Sequence, residues 1–340
     1  MHIALLNGGG DCAGLNAVTR GVLADARLHG DRVTGIRNGW AGLLDISAEE
    51  LTFGQFQDSI GTGGTMLGTS RTNPLKRERG LETIKLHLSE LKADVLIAVG
   101  GDDTLGVALK LHEMRIPVIG VPKTIDNDLA GTDFSFGFFS AVDSAMELIE
   151  SLKTTGASHD RVMVVEVMGR DAGWITLFSA VAAGAHMVLL PEKETPLKDV
   201  VELVKRRHSE GKKGTVIAVA EGVNFGVRQA ERDEFGHELV ARAKGESNAS
   251  YLARLIEQET GMETRATVLG HTIRGGRPNA YDRVMTSMLG VAAVRAARAG
   301  RFGVMVAIRG SGVEEVPLSE GVRKKFVDDK VLSLLSPLFG

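Results

Sequence analysis

Short, continuously apolar runs alternate along the whole chain with stretches whose apolar residues recur every three or four positions. The runs predict strands over Ile3–Leu6, Val33–Arg37, Val95–Val99, Val118–Val121, Val162–Val167, Met187–Leu190, Thr215–Ala220, Ala266–Leu269 and Val304–Ile308. The periodic stretches predict helices over Leu15–Leu28, Gly80–Leu91, Leu105–Met114, Ser140–Thr154, Gly173–Ala183, Leu197–Glu210, Asn248–Glu259 and Asp282–Ala299. Strands without polar alternation are buried on both faces, as in parallel sheets covered by helices, so the fold class is α/β. No internal repeat or low-complexity segment interrupts the pattern. The charged stretch Asn224–Ser247 has few periodic apolar residues and reads as a solvated insertion.

The polar residues that break the pattern collect where strands end. Gly8-Gly9-Gly10-Asp11, Gly100–Thr104, Lys123–Asp128, Met168-Gly169-Arg170, Glu221-Gly222 and Gly270–Gly276 all follow predicted strands. In open α/β sheets that edge is where ligands bind.

Composition narrows the choice. The chain has 340 residues, room for about two domains. A net charge of −3 provides no field for nucleic acid or an anionic membrane. No apolar stretch approaches the length of a membrane span, and the amino terminus lacks the basic flank of a secretion signal. The single cysteine, Cys12, excludes an internal disulfide and points to a reducing, cytoplasmic setting.

Each strand-end motif has a plain reading beside a chemical one. Gly8–Asp11 lets a backbone approach an anion at a helix start, yet a glycine turn is often only a tight connection, and its spacing is neither the dinucleotide nor the Walker type. Asp102 and Asp103 are either a solvated helix cap or a carboxylate pair facing Mg²⁺, which favours one or two carboxylates plus phosphate oxygens and water. Lys123-Thr124-Ile125-Asp126-Asn127-Asp128 is harder to read as structure alone. In an extended segment Asp126 and Asp128 share a face, beside a cation and a hydroxyl. Phosphoryl transfer needs those groups: a carboxylate to take the acceptor's proton, and cations to spread charge on the moving group. Arg71, Arg161, Arg170, Arg265 and Arg274 stand at strand ends or glycine turns, where bidentate phosphate contacts or surface ion pairs both form.

These residues carry a resemblance. Gly9–Asn16, Leu67–Arg71, Gly100–Thr104, Pro122–Asp128, Gly131–Asp133, Val165–Arg170, Pro191-Glu192, Glu221-Gly222, Arg265–Pro278 and Asp282-Arg283 follow in order the motifs of the phosphofructokinase family, which the chain resembles over nearly its whole length. The resemblance implies two Rossmann-like three-layer domains with the active site in the cleft between them. The expected donor-phosphate domain is 1–137 with 252–302, the fructose 6-phosphate domain 138–251 with 303–322, and a C-terminal helix 323–340. It also implies roles. Asp126 is the general base and Asp102 serves Mg²⁺. Gly10, Asp103, Thr104 and Lys123 receive the donor, and Arg71, Arg170 and Lys123 stabilise the transferring group. Thr124, Asp126, Asp128, Met168, Gly169, Arg170, Glu221, His271 and Arg274 hold the sugar phosphate. Arg161 and Arg265 reach into a neighbouring subunit's site, which implies a homodimer or homotetramer with shared active sites.

Two positions bear on the donor. Family members that use ATP resemble Gly-Gly-Asp-Gly-Ser and Pro-Gly-Thr-Ile-Asp-Asn-Asp; here Asp103 and Lys123 replace the variable residues, which resembles the pyrophosphate-dependent branch. Asp103 would fill and repel at the α-phosphate of ATP, and Lys123 would balance the compact charge of pyrophosphate. The same reaction with ATP remains the alternative, and a non-catalytic regulatory subunit or a lipid- or NAD-kinase relative stand behind it. Ile273 replaces a common glutamine. Arg20 and Lys213 could match the second phosphate site of allosteric bacterial members, but Ala24 replaces a common arginine there, so nucleotide or phosphoenolpyruvate control is expected to be weak or absent.

Overall fold

The computed structural model describes residues 1–225 and 246–340, with the backbone of 230–232 and 238–240 between them. Of the expected solvated insertion at 224–247, residues 226–229, 233–237 and 241–245 lie outside the described residues. The strands, in chain order, are β1 (His2–Asn7), β2 (Arg32–Ile36), β3 (Ala48–Leu51), β4 (Val95–Gly100), β5 (Val118–Pro122), β6 (Val162–Val167), β7 (Met187–Leu189), β8 (Thr215–Ala220), β9 (Ala230–Arg232), β10 (Glu238–Val240), β11 (Thr264–Val268), β12 (Val304–Arg309) and β13 (Gly312–Pro317). The chain divides into two compact units, 1–140 with 274–325 and 141–273 with 326–340.

The first unit is built on a seven-stranded sheet ordered β13-β12-β5-β4-β1-β2-β3. Its five inner strands are parallel, and β3 and β13 run antiparallel at the edges. Every residue of β1, β4 and β5 is buried, which is why these strands read as unbroken apolar runs. Each fully buried Val, Leu or Ile contributes about 1.5–3 kcal/mol. From β1 the chain moves to β2 on one side and later to β4 on the other, so β1 and β4 flank the point where the strand order reverses. Two helices of this unit, Leu15–Leu28 and Ala280–Arg298, cross closely because Gly21 and Gly290 carry no side chain. A Cβ at Gly21 would stand 2.5 Å from the Ser287 carbonyl oxygen, and one at Gly290 2.3 Å from that of Val18.

The second unit has an all-parallel sheet ordered β11-β6-β8-β7, with β6 and β8 buried throughout. The helix Asn248–Thr260 packs on it through Ala249, Leu252, Ala253 and Ile256. Ser247 caps that helix by accepting from Ser250 N, and the buried Glu166 carboxylate accepts from Ala249 N at 2.9 Å, placing negative charge at the helix's positive end.

The expected crossover positions differ from these units. The segment 252–273 belongs with β6, because β11 pairs with it from Thr264↔Val162 to Val268↔Glu166. β12 pairs with β5 in the first sheet, which carries 303–325 with it. The expected helix at 323–340 is also shorter. Asp329–Leu335 is helical, followed by a 3₁₀ turn at Ser336–Leu338, while Lys324 forms an antiparallel bridge with Leu129.

Candidate active site

In the first unit the motif loops meet at the carboxyl ends of β1, β4 and β5. Gly8 N donates to Val99 O at 2.8 Å, Gly9 N to Ser70 O at 2.9 Å, and Lys123 N to Gly100 O at 2.9 Å. Thr69 Oγ1 donates to Gly9 O at 2.6 Å, so the exposed Arg71 leaves the chain directly beside this turn. Thr104, expected at the donor, is 2% exposed and wedged between the two glycine turns. A Cβ at Gly8 would meet its Oγ1 at 2.4 Å, and one at Gly100 its Cβ at 2.3 Å. Its hydroxyl therefore shapes both turns from below.

Lys123 follows β5 and is 4% exposed. Its ammonium donates to Gly10 O at 2.5 Å and lies 3.3 Å from where a Cβ on Gly9 would stand. Burial, with Arg274 adding to it, holds the Lys123 ammonium below the ordinary lysine range against the raising influence of Asp11 and Asp126. Beneath the same turn, burial pushes the Cys12 thiol up to about 12, so it stays neutral. Arg274, expected with the sugar residues, is found on this turn as well. Its Nη1 donates to Asp11 O at 2.9 Å, and a Cβ on Gly10 would meet it at 2.4 Å.

Asp102 and Asp103 open the helix Asp102–Glu113, which starts three residues before the expected Leu105 and carries both acids in its first turn. Asp103 is exposed. After Lys123 the backbone turns sharply, with Asn127 at φ 51°. Asp126 N donates to Thr124 Oγ1 at 3.1 Å, and Ser135 ties the turn by donating Oγ to Thr124 O at 2.6 Å and N to Asn127 Oδ1 at 3.1 Å. Asp128 and Asp102 converge on one cation that the sequence reading placed in a helix: Lys324 Nζ lies 2.6 Å from Asp128 Oδ2 and 2.9 Å from Asp102 Oδ2.

The acids suit Mg²⁺ in one particular way. Among the described residues no group of three or more His, Cys, Asp or Glu could cage a metal. Asp102, one of two carboxylates that already share a cation, would offer a single carboxylate to an ion whose other ligands would be phosphate oxygens and water.

In the second unit Met168, Gly169, Arg170, Glu221 and His271 stand at the carboxyl ends of β6, β8 and β11. Gly169 has φ 130°, which only glycine adopts without strain, and a Cβ there would meet Ala172 O at 2.6 Å. Glu221 N donates to Val167 O at 3.0 Å. The buried Asn248, which sequence reasoning did not single out, donates Nδ2 toward the carbonyls of Ala220, Glu221 and Val223 at 2.9–3.2 Å and fixes this strand end. Arg161 and Arg265 are at the other edge of the sheet. Both pair with Glu263, Arg161 through Nε at 2.8 Å.

The phosphofructokinase family model matches residues 2–297. The chain belongs to the phosphofructokinase family. A pyrophosphate–fructose 6-phosphate 1-phosphotransferase from Amycolatopsis methanolica is 48% identical over 94% of both chains. An ATP-dependent 6-phosphofructokinase from Mycobacterium bovis is 46% identical over 95% of both. Among solved structures, a pyrophosphate-dependent phosphofructokinase from Marinobacter aquaeolei superposes with a TM-score of 0.83 at 26% identity, covering all of this chain and 92% of the other. Phosphofructokinase structures have two Rossmann-like domains, in keeping with the parallel sheets of the two units. Among the described residues no helix is long and apolar enough to cross a membrane.

Proposed function

We propose that this phosphofructokinase transfers a phosphoryl group from pyrophosphate to the 1-hydroxyl of fructose 6-phosphate, reversibly, giving fructose 1,6-bisphosphate and phosphate as a glycolytic step. The observation that carries the donor assignment is the buried Lys123 ammonium pressed against Gly9 and Gly10. It supplies a fixed positive charge under the turn that a compact, highly charged donor would approach. The exposed Asp103 carboxylate, two residues beyond Gly101, opposes the longer phosphate chain and nucleoside of ATP.

In this reading Asp126 takes the proton of the 1-hydroxyl. The hydroxyl oxygen forms its bond to the terminal phosphorus of the donor while the bond to the leaving phosphate breaks and that phosphate carries away the electron pair. Arg71 and Arg170 balance charge on the moving group. Asp102 would hold Mg²⁺, which when bound would supply charge neutralisation on the phosphate oxygens. Thr124, Asp128, Met168, Gly169, Glu221 and His271 orient the sugar phosphate. Arg274 lies beside the donor turn and can serve either phosphate. Cleavage of pyrophosphate is less downhill than that of ATP, hence the reversibility.

Shared active sites in a homodimer or homotetramer would employ Arg161 and Arg265, which stand on the sheet edge away from the other sugar residues of their own unit.

The relatives bear both donor names at similar identity, so the test is a substitution that exchanges the two variable residues. D103G/K123G should lose most pyrophosphate activity. Unchanged pyrophosphate turnover would refute the two-residue account.

A further inference from the structure

The cation between Asp102 and Asp128 comes from near the carboxyl end of the chain. Residues 323–325 run antiparallel to 128–130: Ala130 N donates to Arg323 O and Lys325 N to Asp128 O, both at 2.8 Å. The Lys325 ammonium then ties down Asn127 Oδ1, Thr132 O and Asp133 O at 2.8–3.1 Å. The strap thus fixes the loop that carries Asp126 and Asp128, and it sets Lys324 between its two neighbours. The geometry is selective. Asp128 arrives on the loop after β5 and Asp102 at the start of the helix after β4, and one ammonium is within 3 Å of both.

An exposed ion pair adds little. This one differs because the Asp128 side chain is 8% exposed and its partner is shared. Two carboxylates this close repel, and without a cation they would separate or take up a proton.

We propose that Lys324 is a positioning residue of the active site, holding the metal carboxylate Asp102 and the sugar-binding Asp128 together as a pair with a net charge of −1 in place of −2. This rests on the reading of Asp102 as the metal carboxylate. Lys324 keeps the pair in place for turnover and also tempers its attraction for a divalent cation. Loss of the lysine charge therefore has opposite effects on the two: the metal is bound more tightly, and turnover falls because Asp128 and Asp102 lose their common anchor.

The experiment is Mn²⁺ binding to the full-length protein without donor, followed by electron paramagnetic resonance, alongside coupled turnover. K324M keeps the side-chain stem without the charge, and K324Q is a second neutral variant if K324M folds poorly. The neutral variant should bind Mn²⁺ roughly three- to tenfold more tightly while kcat drops about tenfold or more. K324R should return both toward wild type. D102N should weaken Mn²⁺ binding. Tighter binding is a change that a merely structural defect would not produce. If D102N loses Mn²⁺ but the neutral Lys324 variants bind it as wild type does, or more weakly, the role given to Lys324 is overturned. If D102N binds Mn²⁺ unchanged, the metal reading of Asp102 falls, and the inference with it.

Discussion

The Lys123 ammonium lies 2.5 Å from the carbonyl oxygen of Gly10, in a position where the side chain is almost wholly shielded from water. A lysine desolvated against one carbonyl is a poor choice for stability and a good one for binding an anion. K123M should therefore lower kcat/KM for pyrophosphate by about 10²–10³, the usual cost of removing one preorganised electrostatic donor. It should also leave the melting temperature unchanged or raise it, because replacing a buried charge by an apolar side chain of similar volume is often neutral or stabilising. Differential scanning calorimetry beside steady-state kinetics checks both. A large loss of stability would mean that Lys123 is chiefly structural.

Gly222 supports the strand end that carries Glu221. A Cβ there would stand 1.7 Å from the Arg170 carbonyl oxygen, and no side-chain rotation relieves a backbone clash. G222A should displace the Arg170 and Glu221 loops together. The expected result is a KM for fructose 6-phosphate raised about tenfold or more, with a lowered melting temperature. Wild-type sugar affinity in G222A would detach these loops from the sugar.

His186 should make the second unit acid-sensitive. Burial, then the charges of Arg207, Lys153 and Lys212, hold its imidazole at about 4, and its Nδ1 accepts from Val216 N at 2.8 Å. The unfolded chain binds a proton near the ordinary value of 6.5, well before the folded one does. Stability from this group is thus complete above pH 6.5 and is lost as pH falls toward 4, by roughly 1–3 kcal/mol. Urea denaturation of wild type and H186Q across that window should show a shallower pH dependence in the variant. Parallel slopes would remove His186 as the cause.

Arg161 and Arg265 share Glu263, apart from the other sugar residues of the second unit. If they act in a neighbouring subunit's site, D126N and R161A/R265A fail for complementary reasons. Each alone should be nearly inactive. Co-expressed, they should assemble at random so that about a quarter of all sites in the mixture are intact. A mixture no more active than its parents would argue against shared sites.

The sequence was legible where burial and chemistry coincide. The fully buried strands β1, β4, β5, β6 and β8 announce themselves as apolar runs, and their ends display the motifs. The two edge strands of the first sheet did not. β3 reads Ala-Glu-Glu-Leu and β13 Gly-Val-Glu-Glu-Val-Pro, since charge on an exposed edge protects it from pairing and also hides it from a hydrophobic pattern. The crossovers were hidden for another reason. The apolar run of β12 would suit either sheet, and only its pairing with β5 decides. Lys324 stood in a basic triplet, Arg323-Lys324-Lys325, whose signal is charge alone. Its place between Asp102 and Asp128 depends on a contact 196 residues away in sequence. Thr104 and Arg274 were visible as motif residues, but which side of the glycine turns each would occupy was not.

The most direct test is turnover of fructose 6-phosphate by the wild-type protein with Mg²⁺, coupled through aldolase, with pyrophosphate or ATP as donor. Turnover with pyrophosphate and none above background with ATP is the predicted result. Turnover with ATP alone would contradict it, leaving a phosphofructokinase in which Asp103 and Lys123 do not select the donor.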